Sequence, residues 1–146
     1  MLIPLDVLIK HFKLHIRGVL HIGAHECEEL DAYLQSGIKN ENIYWIEAME
    51  DKVKLMKTQK NAKIYQALID IEDDNEVKFN ITNNGQSSSI LEFGSHAKHH
   101  PHITMVGSKQ LKTTRLDTFI KKNKIPIEKL NFMNIDIQGK ELDALK

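Results

Sequence analysis

An α/β domain built on a parallel sheet is the fold this sequence predicts, and three observations carry the prediction. Four short apolar runs, at residues 18–23 (GVLHIG), 42–48 (NIYWIEA), 62–69 (AKIYQALI) and 131–137 (NFMNIDI), are nearly continuous in apolar residues, as strands buried on both faces are. Stretches of helical spacing alternate with them, as crossover connections require. The first run ends at Gly23 and gives way to a polar turn before helical spacing resumes, the pattern of a strand, a tight turn and a helix.

In chain order, Leu5, Leu8, Ile9 and Phe12 recur at i, i+3, i+4 and i+7 behind Pro4, which suits the first position of a helix. Residues 4–14 therefore read as an amphipathic helix that packs on the domain. After the first strand, Leu30, Tyr33 and Leu34 mark a helix that Gly37 stops. EDKVKLMKTQK follows the second strand as a charged helix with Val53 and Met56 three apart. The third strand spans 62–69. EVKFNIT, 76–82, alternates with period two and predicts an antiparallel strand or hairpin inserted into the sheet's rhythm, followed by the loop-like NNGQSSS. Residues 93–110 show little periodicity. TTRLDTFIKKN predicts a helix over 114–123, with Leu116, Phe119 and Ile120 on one face and threonines as caps. The fourth strand leads through Gly139 into a helix start at KELDALK.

The 146 residues, 41% of them apolar, suffice for one core, so residues 1–146 are expected to form a single domain with an N-terminal helix, 1–15, packed on it. Lysine plus arginine equals aspartate plus glutamate at 20 each, which removes any overall attraction to nucleic acid or an anionic membrane. No apolar stretch approaches the ~20 residues that span a bilayer. The single Cys27 precludes an internal disulfide and suits a reducing compartment. A soluble, cytoplasmic protein is expected.

Three residues suggest a ligand. Gly23, ending the first strand, lets the chain turn tightly and a ligand approach, and the next helix offers unpaired N–H groups. Glu47 ends the second strand, roughly 20 residues further on, where an acid accepts the hydroxyls of an adenosine ribose. Asp136 lies at the carboxyl edge of the last strand, where burial would raise its pKa and make it a proton acceptor or an orienting group. The histidines His96, His99, His100 and His102 have no cysteine partner, and Pro101 interrupts their register, so a solvated loop is expected. Neither there nor at His21, His25 and Cys27 is a metal expected.

The segments VLHIGAHECEE, YWIEA, ALID, SSSIL, TTRLDTF and NFMNIDIQGKELDALK together resemble the FkbM-type methyltransferases, a branch of the S-adenosylmethionine-dependent Rossmann-like class I fold. Their order and spacing match from about Gly18 to the last residue, and TTRLDTF followed by IDIQGKEL is the most specific part. The resemblance implies S-adenosyl-L-methionine as cofactor. It implies that residues 21–28 form the first cofactor loop, with His21, Ile22, Gly23, Ala24, His25 and Glu28 around the amino-acid end. Glu47 with Ala48 would hold the ribose, Ala67 and Leu68 would border the adenine, and Ser88 and Ser89 match the family's serine-containing stretch, Ser89 counting with the cofactor residues. Asp136, Gly139 and Glu141 match the second signature. Asp136 would face the methyl donor, as base or orienting residue, with Glu141 second. The chain departs from the family where His21 replaces a frequent acid and Cys27 a frequent glycine.

The resemblance further implies a sheet order of 3-2-1-4 with the C-terminal strands missing, leaving the fourth strand as a long apolar edge where self-association is expected. A longer natural product, a second chain over that edge and a decayed gene product all explain such an ending. The activity implied is O-methyl transfer to a small-molecule or sugar hydroxyl. Two rivals stand beside it. Gly23 and Glu47 fit an NAD-linked oxidoreductase, though the second and third glycines of a pyrophosphate site are absent. A non-catalytic binding or assembly module would use the strand edge alone.

Overall fold

The computed structural model describes residues 3–83, 85, 88–91, 102 and 104–146. They fall into two compact units, Met1–Gln66 with Asn123–Ile135, and Ala67–Lys122 with Asp136–Lys146. His96, His99 and His100 lie outside the described residues.

The first unit is a four-stranded parallel sheet. Its strands are β1 (Val19–Ile22), β2 (Ile43–Glu47), β3 (Lys63–Gln66) and β7 (Phe132–Ile135), in the order β3-β2-β1-β7. This is the expected Rossmann-like 3-2-1-4 arrangement, with the last strand at the edge. The two central strands carry the continuous apolar runs because both their faces are buried. The edge strands are mixed: Lys63 and Gln66 of β3 are exposed, as is Met133 of β7. The β7 edge is four residues long and holds the polar Asn134, shorter and less apolar than the long edge expected.

Val19, Ile43, Trp45 and Ile64 lie on one face of that sheet, under α1 (Leu5–Phe12), α2 (Leu30–Gln35) and α3 (Glu50–Lys60), and form one core with Leu5, Tyr33, Val53 and Met56. Each such side chain removed from water contributes about 1.5–3 kcal/mol. The α3 bounds match the charged stretch read from sequence. Glu50 and Asp51 open it, Lys57 and Lys60 close it, and this order complements the helix dipole. The α1 helix is shorter than 4–14: Pro4 stands before it as N-cap and Lys13 ends it in a left-handed conformation. Phe12, expected on the buried face, is the last residue of α1 and is 63% exposed.

Gly18 precedes β1 at a close approach. A Cβ there would sit 2.8 Å from both Lys129 O and a Leu130 methyl, and 3.0 Å from Asn42 O. Two of those atoms are backbone, which cannot swing away.

The second unit contains a three-stranded sheet in the order β4-β6-β5, where β4 is Leu68–Ile69, β5 Glu76–Thr82 and β6 Met105–Thr114. The β5 bounds agree with the period-two reading, and β5 pairs antiparallel with β6 through seven registered positions from Glu76↔Lys112 to Thr82↔Met105. The predicted strand at 62–69 is two strands: β3 ends at Gln66, and Leu68 and Ile69 pair with Thr113 and Thr114 instead. Residues 105–110, the end of the stretch read as aperiodic, belong to a strand that runs on to Thr114, where the sequence predicts a helix start. MVGSKQLKTT lacks apolar alternation because most of β6 is exposed, and its backbone ladder to β5 holds it.

Two helices complete this unit, α4 (Leu116–Asn123) and α5 (Glu141–Ala144). The threonines expected to cap α4 do other work. Thr113 and Thr114 belong to β6, and Thr113 Oγ1 donates to Glu72 O at 2.6 Å. Asp73 serves the helix start, its carboxylate accepting from Arg115 N (2.8 Å) and Thr118 Oγ1 (2.8 Å).

Gly18→Ala is expected to cost about 1–3 kcal/mol through overpacking against backbone. A urea midpoint equal to that of the wild type would show that the chain entering β1 has room to relax.

Candidate functional site

The site is built on the carboxyl ends of β1 and β2. Where β1 ends, Gly23 takes φ 87°, and Gly23 N and Ala24 N both donate to Ile46 O, at 2.9 and 3.0 Å. The loop is thereby tied across the tip of the neighbouring strand. Two residues later His25 has φ 41°, and after another two Cys27 has φ 52°. Left-handed backbone therefore recurs at three alternate positions, of which glycine occupies one. Each non-glycine residue there costs about 1–2 kcal/mol, so other contacts must hold the loop.

Glu47 supplies the first of them. It is 5% exposed, and its Oε2 accepts from His25 N at 2.7 Å while Oε1 accepts from Met49 N at 2.8 Å. Burial pushes its carboxyl above the ordinary carboxylate range, and the N–H groups of Met49, His25 and Ala48 offset part of that rise. Lysines of α3 supply the others. Lys60 Nζ donates to Glu26 O (2.6 Å) and Cys27 O (2.9 Å), and Lys52 Nζ pairs with the Glu26 carboxylate. His25 Nδ1 lies 2.6 Å from Glu28 Oε1, and Glu28 Oε2 accepts from Glu26 N. Sequence spacing marks Lys52 and Lys60 only as charged residues on a solvated helix face.

The structure thus brings Gly23, Ala24, His25, Glu28, Glu47 and Ala48 into one hydrogen-bonded end of the sheet. Ile22 and Ala24 have buried side chains, so they face the loop through backbone. The His21 ring is also buried, 1% exposed, stacked on Trp45 with centroids 4.6 Å apart. Burial first of all pushes His21 down to about 4. Cys27 is fully buried, and burial pushes its thiol up to about 12, so it packs and does not react.

The second signature lies in the other unit. Asp136 is exposed, one residue beyond the end of β7, so burial does not act on it as the sequence reading supposed. Its Oδ1 accepts from Gln138 Nε2 at 2.9 Å. Glu141 caps its own turn: Oε1 accepts from Ile137 N (3.0 Å) and Gly139 N (3.1 Å), and Oε2 from Gly139 N (3.1 Å). Burial alone would raise its carboxyl, but the backbone N–H groups outweigh burial and hold it below the ordinary value. Such a carboxylate is a poor proton acceptor. Ser89 Oγ donates to Gln138 O at 3.2 Å, and buried Asp70 pairs with Lys140 at 3.0 Å, so both fix this turn. Ser88 Oγ accepts from Thr82 N at 3.2 Å. Leu68 is buried in β4, and Ala67, before it, is partly buried.

A family model described as the methyltransferase FkbM domain matches residues 20–146. The chain belongs to the FkbM methyltransferase family. No curated protein and no solved structure matches the chain.

In this FkbM methyltransferase domain the loop passes a physical test for an adenosyl amino acid. A carboxylate has about four acceptor positions, and the backbone donors on Glu47 leave capacity for hydroxyl groups of a ribose. His25 Nε2 is buried without a hydrogen-bond partner among the described residues, a polar atom that a polar ligand group would satisfy.

Two measurements test the site's construction. The unfolded chain protonates His21 near 6.5, whereas the native ring stays neutral down to about 4. Native stability contributed by His21 is therefore lost as pH falls from 6.5 to about 4, by about 3 kcal/mol. Subtracting the urea stability of His21→Gln from that of the wild type across pH should show this slope; a flat difference would mean the ring protonates without penalty. Cys27→Gly removes a left-handed non-glycine residue and also a buried side chain. The two effects are each about 1–2 kcal/mol, so stability should stay within about 1 kcal/mol of wild type by the same measurement.

Proposed function

We propose that this FkbM domain binds S-adenosylmethionine through residues 21–28 and Glu47, and transfers its methyl group to a hydroxyl oxygen of a small molecule or sugar. The observation that supports the cofactor most is the buried Glu47 carboxylate, which shapes the loop through two backbone N–H groups and still has acceptor capacity at the tip of β2. The acceptor class is supported only by the resemblance of the sequence motifs to the family. When bound, the cofactor supplies an electrophilic methyl group on a sulfonium.

The chain's own part is mostly placement, since an in-line displacement needs alignment above all. Gly23 gives the backbone room at the turn, and Glu47 accepts the ribose hydroxyls. His25 Nε2 meets the polar amino-acid end. A hydroxyl acceptor must lose a proton as its oxygen is methylated, and Asp136 is the carboxylate for that role because its turn orients Oδ1 through Gln138. Glu141 holds the Asp136 turn in shape and is spent on that task.

Calorimetry with S-adenosylhomocysteine tests the reading. Binding is expected with a rise in melting temperature, and Glu47→Ala should weaken it at least tenfold, about the value of a charged hydrogen bond. Heat and stabilisation from NADH, with neither from S-adenosylhomocysteine, would transfer the site to the oxidoreductase class. Because burial raises the Glu47 carboxyl, wild-type affinity should fall on acidification, beginning above the ordinary carboxylate range. Glu47→Gln should show a flatter profile.

A further inference from the structure

We propose that Asn134, Tyr33 and His21 form a positioning chain that fixes the His21 ring at the end of β1, and with it the strand end from which the cofactor loop departs. The proposal rests on the reading of residues 21–28 as that loop, and it assigns a role to two residues, Tyr33 and Asn134, outside it.

Sheet register places the parts. His21 is the β-partner of Trp45 on one side and of Asn134 on the other, so all three share one face. Tyr33 of α2 reaches down to that face. Its hydroxyl lies 3.0 Å from His21 Nδ1 and 3.0 Å from Asn134 Nδ2. Trp45 stacks on the imidazole at 29° between planes and fixes the ring.

The direction of the chain follows from which groups can only give and which can only take. The Asn134 amide nitrogen only donates, so the Tyr33 oxygen accepts from it. Among the described residues the buried Tyr33 O–H then has His21 Nδ1 as its acceptor. An Nδ1 that accepts carries no proton, so the proton of the neutral ring sits on Nε2. Reversing the order would protonate Nδ1 and take that acceptor from the buried Tyr33 hydroxyl. Burial also holds the Tyr33 hydroxyl protonated, so the donor persists. The order runs from the edge strand, through a helix, to the last turn-side residues of β1.

Nitrogen-15 imidazole spectra and calorimetry with S-adenosylhomocysteine, on the whole chain, test this together. Wild-type His21 should show a protonated Nε2 and an acceptor Nδ1. Tyr33→Phe, which keeps the ring volume, should mix the two tautomers and weaken S-adenosylhomocysteine about tenfold, the effect of one buried hydrogen bond. Asn134→Ala should weaken it less, and adding it to Tyr33→Phe should cost nothing further, since the two act in series. A wild-type ring protonated at Nδ1 overturns the proposal. So does Tyr33→Phe binding within about twofold of wild type, because a hydroxyl that serves only stability would lower the melting temperature and leave affinity alone. The imidazole spectrum needs no ligand. If the wild type gives no heat with S-adenosylhomocysteine, the cofactor reading falls, while the spectrum still decides whether the hydrogen-bond chain exists.

Discussion

A buried carboxylate accepting two backbone N–H groups is the constraint around which the parallel sheet's carboxyl end is arranged. Glu47 joins the loop after β1, through His25 N, to the start of α3, through Met49 N. Charged hydrogen bonds of this kind contribute about 1.5–3 kcal/mol each, against the cost of taking the carboxylate out of water. The cost is visible in the raised carboxyl of Glu47. A strand tip, a turn and a helix start are thus set by one side chain, and a change there moves all three.

The same economy explains the loop's composition. Left-handed backbone at Gly23, His25 and Cys27 would be easiest with three glycines. The chain keeps one and holds the others by external ties: the Glu47 carboxylate on His25 N, and Lys60 on the carbonyls of Glu26 and Cys27. In return the non-glycine positions carry side chains that glycine lacks. Cys27 fills core under the loop, and His25 brings an imidazole paired with Glu28.

How much of this was legible depended on whether the signal was local. The strand cores of β1 and β2, the bounds of α3 and the period of β5 follow from patterns within a few residues, and the sequence carries them openly. Glu47 and Gly23 were legible as strand-end residues. The ties between them were not, because His25 N meets Glu47 only once the strands are in register. The same holds for Asn134, which reads as one polar residue in an apolar strand until β7 is aligned with β1. β6 was invisible for the opposite reason: most of its residues are exposed, so no apolar alternation records it, and pairing with β5 and β4 makes it a strand. The break between β3 and β4 was hidden because Gln66, just before Ala67, reads as a single interruption of the apolar run 64–69.

The two signature carboxylates separate by the same kind of accounting. Sequence position gives Asp136 and Glu141 similar standing, three glycine-turn residues and one lysine apart. Hydrogen bonding divides them. Glu141 accepts from Ile137 N and Gly139 N, and Gly139, at φ 100°, adopts the turn that lets its N–H reach both carboxylate oxygens. A carboxylate so occupied binds a proton less readily and serves as a cap. Ser89 on Gln138 O and Asp70 on Lys140 brace the same turn from β5's neighbour segment and from the end of β4. Asp136, exposed just beyond β7, accepts from Gln138 of that turn. Glu141 is committed to the backbone of its own turn, which is why Asp136 is the one of the two carboxylates proposed above for proton transfer.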